Sequence, residues 1–334
     1  MDRQYGQDSR VPLKAEARLI CLKNVESSRE DCFEITGEQG RDGSCIVYQA
    51  FLCAQGKRDR PVLLKEFYPL AYADSLRRNR DTCALALTAR ANLQNSYERA
   101  RRLFLDACGK QKEFYLSHAD ASADELVEIQ GLYSMGDSNY VMMRAMGGHS
   151  WDQLPRESLY AILETILSTL EELALYHGDH YLHGDIKPAN IYVFQKTRQH
   201  IALLDFGSVQ RLENGALTGA ETLSYSEAFA ALELLNAAGK EGLDRADYYE
   251  CITPKADLYA VAAVAYFKIT GEAPPRGMGE RMLRERRRRC LRELWEREKD
   301  GWLSRISFHM IEELERFFDT SLAFNPDVRY SNPT

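Results

Sequence analysis

His183-Gly184-Asp185-Ile186-Lys187-Pro188-Ala189-Asn190, followed a short way on by Leu204-Asp205-Phe206-Gly207, decides how this 334-residue chain is read. Together the two stretches place two carboxylates, an amide and a lysine at the spacing that phosphoryl transfer needs. Asp185 is placed to accept the proton of an acceptor hydroxyl and Lys187 to neutralise charge on a transferring γ-phosphate. Asn190 and Asp205 are the pair that would hold Mg²⁺ against the phosphates of ATP. Such a site does little covalent chemistry, because positioning and electrostatic stabilisation of a loose transition state supply most of the rate. An Asp-rich loop between apolar runs can also be only a turn. Two motifs in the right order, flanked by the strand-like runs 191–194 and 201–204, make coincidence a poor explanation.

Upstream, Gly40-Arg41-Asp42-Gly43-Ser44-Cys45-Ile46-Val47-Tyr48-Gln49-Ala50 looks like a glycine-rich hairpin that covers ATP phosphates, with Val47 and Ala50 placed to touch adenine. Of the three usual glycines only Gly40 is kept. Asp42 and Cys45 stand in the other two places and Gly43 sits one position late. Backbone N–H groups still suit a phosphate there, though a Cβ hinders close approach. The apolar strand Val62-Leu63-Leu64-Lys65 ends in a lysine. Alone it would read as a solvated surface cation; at this distance behind the hairpin it reads as the grip on the α- and β-phosphates.

From these residues the chain resembles a eukaryotic-like Ser/Thr protein kinase, most of all the divergent bacterial branch. Lys65-Glu66-Phe67-Tyr68-Pro69 and the Gly43-Ser44-Cys45-Ile46-Val47-Tyr48 hairpin are similar to that branch, and the likeness runs from about Phe33 to Arg329. It implies an α+β, bilobal protein kinase-like fold: an antiparallel five-stranded N-lobe sheet with helix C, then a mainly helical C-lobe. The implied division is an extension over 1–30 that packs on the N-lobe or stays mobile, an N-lobe over 31–143, and hinge with C-lobe over 144–334. Strands are expected near 33–35, 46–52, 62–67, 127–133 and 140–144, helix C near 97–115, and a buried helix through Leu159, Ile162, Leu163, Ile166, Leu167, Leu170 and Leu173.

The resemblance further implies an ATP- and Mg²⁺-dependent transfer of the γ-phosphate to Ser or Thr hydroxyls of proteins, with Asp185, Lys187 and Lys65 as the catalytic set. Gly40, Gly43, Val47, Ala50, Lys65, Met143, Ala145, Asn190 and Asp205 would bind the cofactor. Met143 takes the gatekeeper's place, and Ala145 that of the backbone partner of adenine. Asp257, in Lys255-Ala256-Asp257-Leu258-Tyr259-Ala260-Val261, would hold the catalytic loop from behind. Phe229-Ala230-Ala231-Leu232-Glu233 looks like the Ala-Pro-Glu motif, with Arg329 as the partner of Glu233. The acid that pairs with Lys65 is open between Asp106, Gln111 and Glu113. Gly184 stands where many kinases carry an arginine that reads activation-loop phosphate, so switching by that route is not expected. The segment around Arg77, Arg78, Arg80 and Asp81 reads as a solvated loop. His-Gly-Asp also occurs in small-molecule kinases of the aminoglycoside and choline type, and the irregular hairpin suits a pseudokinase scaffold. Lys187, the complete Asp-Phe-Gly and the Glu233/Arg329 pair favour the protein kinase.

Composition agrees with a globular enzyme of two lobes: 45% hydrophobic and 28% charged, with a net charge of -7 that argues against nucleic acid as the main partner. A basic run at 281–292 is a solvated helix face or a docking patch for an acidic partner. The eight cysteines show no CxxC pair, which predicts reduced thiols, with Cys45 exposed at the hairpin tip. No signal peptide opens the chain and no long apolar run crosses a membrane, so a cytoplasmic location is expected unless an anchor lies beyond residue 334.

Overall fold

The computed structural model describes residues 8–14, 19–88, 91–118, 128–145, 147–194, 201–219, 223–239 and 246–331. Val127, expected to open a strand, lies outside them. The chain divides into two compact units, Met1–Met146 and Gly147–Thr334.

The first unit is a closed antiparallel barrel. Its strands are β1 (Leu19–Asn24), β2 (Glu30–Arg41), β3 (Cys45–Ala54), β4 (Lys57–Phe67), β7 (Ile129–Met135) and β8 (Ser138–Arg144), in the order β1-β2-β3-β4-β8-β7, with β7 pairing back onto β1. Between β4 and β7 come a small hairpin, β5 (Leu76–Arg78) with β6 (Leu85–Leu87), and the long helix α1 (Ala91–Ser117). Alternating apolar residues fill the barrel, among them Leu22, Phe33, Ile46, Tyr48, Val62 and Leu64.

Two expectations change here. Among the described residues the sheet has six strands, not five, because β1 falls in the stretch assigned to an extension; Leu22 and Ile20 there are core residues. Residues 8–14 also pack on the unit: Leu13 is buried and its N–H donates to the Tyr48 hydroxyl at 3.1 Å. The segment around Arg78 is not a solvated loop. Arg78 makes a two-pronged ion pair with fully buried Glu66, at 2.9 and 2.7 Å, and donates to the carbonyls of Val11 and Cys83. Glu66 also accepts from the Tyr48 and Tyr140 hydroxyls at 2.7 and 2.5 Å. Burial, with the Glu66 charge second, pushes both phenols well above their usual range and keeps them donors. The β5–β6 hairpin is seated on the β7–β8 turn, where Asp137 N–H donates to the Leu85 carbonyl. Gly136 is required there, since a Cβ on it would meet the Leu85 oxygen at 2.3 Å.

The cysteines bring a further correction. Cys21 and Cys32 face one another across β1 and β2 and are joined as a disulfide. Register between strands creates that pair, so no CxxC spacing announces it. Cys45 is not exposed; it opens β3 inside the core.

The second unit is mainly helical. Short strands β9 (Gly148–Ser150), β11 (Ile191–Phe194) and β12 (Ile201–Leu203) form one sheet, and β10 (Tyr181–Leu182) pairs with β13 (Gln210–Arg211). Its helices are α2 (Leu159–Gly178), α3 (Leu232–Ala238), α4 (Ala246–Tyr249), α5 (Lys255–Thr270), α6 (Glu280–Glu298) and α7 (Phe308–Ser321). Ser158 caps α2 by accepting from the Ala161 N–H, and Leu159, Ile162, Ile166 and Leu173 form its buried stripe; Leu167, expected in that stripe, is exposed. Helix α5 is buried on nearly every side, so it is the post against which the unit is built.

Candidate active site

In the first unit, strand register sorts the expected nucleotide residues by face. Gly40, Val47, Lys65 and Val141 are successive cross-strand partners, as are Gln49, Leu63 and Met143. Partners share a face and side chains alternate along a strand, so Val47, Lys65 and Met143 lie on one face of the barrel wall. Ala50 does not join them. Three residues beyond Val47, it has the opposite parity and is buried with Ile46 and Tyr48 in the core, which corrects its assignment to adenine. Leu63, two residues before Lys65 on the same face, was missed, although strand alternation was the signal. A Cβ at Gly40 or Gly43 would meet nothing within 4 Å, so the hairpin backbone is open there. Ala145 follows β8 and is half-buried.

Lys65 Nζ lies 3.7 Å from Asp42 Oδ2. On α1, Cys108 feels the Lys65 charge: burial pushes its thiol up to about 12, and Lys65 pulls the other way. Asp106 and Glu113 are exposed, whereas Gln111 is half-buried and three residues from Cys108, on the same side of the helix. Of the three candidates for the partner of Lys65, only Gln111 shares the Cys108 side.

In the second unit one carboxylate organises the catalytic loop. Asp257, near the start of α5, accepts from the backbone N–H of His183 at 2.8 Å and of Gly184 at 2.9 Å, and its Oδ2 lies 3.1 Å from His177 Nε2. Gly184 has φ +80, and a Cβ on it would sit 3.1 Å from the Ser208 carbonyl. His183 Nε2 lies 3.0 Å from the Leu204 carbonyl, and the Leu204 N–H donates to the Asn190 carbonyl at 2.8 Å. Those two contacts bind the 183–190 stretch to the 204–207 stretch.

The loop brings the expected side chains together. Asp185 is buried; its Oδ2 takes Lys187 Nζ at 2.6 Å. Its Oδ1 has no hydrogen-bond partner among the described residues. A buried carboxylate oxygen left bare is costly and calls for a reason. Asn190 Nδ2 donates to the Asp185 carbonyl at 2.8 Å, which makes its Oδ1 the atom a hard cation would take. Asp205 has φ +73, a left-handed conformation that aspartate tolerates better than most residues and that recurs at functional sites. Lys187 also donates to Ser226 Oγ at 3.0 Å. Ser226 was missed, because nothing local in the sequence ties it to a loop thirty-nine positions earlier.

Glu233 and Arg329 do pair: the guanidinium meets both carboxylate oxygens, at 2.6 and 3.0 Å, and donates to the Ala323 and Phe324 carbonyls. The basic run is largely neutralised. Arg284, Arg288 and Arg292 bind Glu280, Asp319 and Glu315, Arg281 binds Glu285, and Arg287 is buried.

Among the described residues no helix is long and apolar enough to cross a membrane. The family described as "Protein kinase domain" matches residues 110–334. Curated relatives include the death-associated protein kinase dapk-1 of Caenorhabditis elegans, 26% identical over 45% of this chain and 10% of that protein. The probable serine/threonine-protein kinase pknA2 of Bifidobacterium longum is 25% identical over 47% of this chain and 20% of its own length. Serine/threonine-protein kinase PknJ of Mycobacterium bovis is 31% identical over 29% of this chain and 15% of its own. The chain thus spans a fifth or less of the relatives it matches here. With the loop geometry and a match over most of its length, the chain belongs to the protein kinase domain family.

Proposed function

We propose that this protein is an ATP- and Mg²⁺-dependent kinase that transfers the γ-phosphate to Ser and Thr hydroxyls of proteins. The observation that carries this is the divided carboxylate of Asp185: one oxygen is held by Lys187, and the other is buried without a partner. The bare Oδ1 is where an acceptor hydroxyl would donate, and Asp185 then orients that oxygen and takes its proton. Lys187, already within reach of Asp185 and Ser226, neutralises charge on the transferring phosphoryl group. Lys65 grips the α- and β-phosphates, the backbone at Gly40 and Gly43 lies over them, and Val47, Leu63 and Met143 form the apolar face toward adenine, with Ala145 offering backbone groups. Asn190 and Asp205 are oxygen donors of the kind Mg²⁺ prefers, and fit it as ligands. When bound, the ion would offset the charge of the phosphate oxygens.

The Glu233–Arg329 pair favours a protein acceptor over a small metabolite, because in the resemblance it belongs to a peptide-binding C-lobe. Gly184, which has no charge to offer a phosphate, supports activity without phosphorylation of the segment between Asp205 and Glu233. A pseudokinase scaffold is the second reading; the α1 side shared by Cys108 and Gln111 carries a thiol and an amide where a carboxylate is usual. Docking through 281–292 would rest on Arg286 and Arg289, the exposed arginines there outside the ion pairs above. Mg²⁺-dependent labelling with γ-labelled ATP, run beside Asp205→Ala, tests the proposal: label in the wild type and none in the variant is expected. ATP binding with no label in either would favour the scaffold.

A further inference from the structure

The tip of the β2–β3 hairpin holds an anionic side chain where the family pattern has its second glycine. Asp42 Oδ1 accepts from the backbone N–H of Ser44 at 2.6 Å and of Cys45 at 2.7 Å. Its Oδ2 lies 3.7 Å from Lys65 Nζ. One carboxylate therefore gathers two hairpin N–H groups and the cation that the proposed function assigns to nucleotide phosphate. Convergent backbone N–H groups beside a lysine are the donors that a phosphate uses.

The backbone of the tip is fixed by other bonds. Gly43 and Ser44 carbonyls accept from Leu70 and Tyr68 N–H at 2.9 and 3.0 Å, and Asp42 N–H donates to the Cys45 carbonyl at 3.0 Å. Buried Arg10 ties the Cys45 and Tyr68 carbonyls together at 3.3 and 2.8 Å. A hairpin pinned in this way cannot move its N–H groups away from Asp42; the side chain itself must turn. It has the freedom to do so, being 45% exposed.

We propose that Asp42 is a resident competitor for the nucleotide's phosphates, and a determinant of affinity for phosphorylated over unphosphorylated ligands. This rests on the reading that the hairpin and Lys65 hold ATP. Before phosphate settles, the Asp42 carboxylate must leave Ser44, Cys45 and Lys65, and its charge must be carried beside the incoming anion. Both effects weaken ATP and ADP, and neither acts on adenosine.

The test is calorimetric titration of the full chain and of Asp42→Asn and Asp42→Gly with ATP, ADP and adenosine. Asparagine keeps an acceptor for the two N–H groups and removes the charge; glycine removes both. Each variant is expected to bind ATP and ADP about two- to fivefold tighter, the range an exposed ion pair supplies, with adenosine unchanged. The gain should shrink as salt rises. Unchanged or weaker ATP binding in both variants, or equal tightening of adenosine, would reduce Asp42 to a turn residue. Failure of wild type and both variants to bind any of the three ligands would overturn the nucleotide reading itself, and Asp42's role with it.

Discussion

Asp185 divides its carboxylate between Lys187 and an unfilled position, and the role of each atom sets its own expectation. Asp185→Ala should lower phosphoryl transfer by about 10²-fold or more through loss of the hydroxyl's base, with ATP binding largely kept. Asp205→Ala should lose a comparable factor and also weaken ATP binding in the presence of Mg²⁺. Steady-state rates beside nucleotide titrations separate the two, and wild-type turnover in either variant contradicts the assignment. At Gly184 the backbone itself is the constraint. With φ +80 and the Ser208 carbonyl 3.1 Å from an added Cβ, Gly184→Ala should cost about 1–2 kcal/mol in denaturant unfolding. Gly184→Arg carries the same strain, so it should not raise activity. The catalytic loop was legible in the sequence because its chemistry demands fixed residue types a few positions apart. Ser226 was not, since its meeting with Lys187 depends on the return of a distant segment. Ala50 was misread for a different reason: a motif fixes spacing, but the pleat decides which face a residue occupies.

Among the elements, the β5–β6 hairpin is the one whose role the sequence concealed. Its arginines look solvated, yet Arg78 reaches a carboxylate buried inside the barrel, where the pairing of the neighbouring strands β3, β4 and β8 brings Glu66, Tyr48 and Tyr140 to one point. Removing one partner of a buried ion pair strands the other charge. Arg78→Ala should therefore destabilise the protein by about 3–5 kcal/mol, while Arg80→Ala, on the exposed turn of the same hairpin, should change it by less than about 0.5 kcal/mol. Urea unfolding of both variants checks this, and equal small effects would contradict the buried-pair account. The Glu233–Arg329 pair was legible because the resemblance of 229–233 to the Ala-Pro-Glu motif implies a buried glutamate, which needs a cation; the Glu66–Arg78 pair lacked any such pattern. Cys21 and Cys32 likewise meet only through the register of β1 and β2.

For the whole molecule, the order of motifs along the chain foretold an α+β protein with a strand-rich first part and a helical second part, and two compact units of that kind are present. The family resemblance that those motifs carry implied that much. Closure of the sheet into a barrel was not legible, because β1 sits in a stretch with no motif and earns its place through pairing with β2 and β7. At this scale activity should be independent of phosphate on the segment from Asp205 to Glu233: phosphatase-treated protein should keep its rate within a few-fold. A collapse that rephosphorylation restores would contradict the reading of Gly184. The central claim is that the divided Asp185 carboxylate serves a Ser or Thr hydroxyl. Phosphoamino-acid analysis of the autophosphorylated full chain and of a generic basic protein substrate tests it most directly. The account predicts phosphoserine and phosphothreonine in both, lost in Asp185→Ala. Predominant phosphotyrosine, or rapid turnover of an aminoglycoside or choline with no protein labelled, would contradict it.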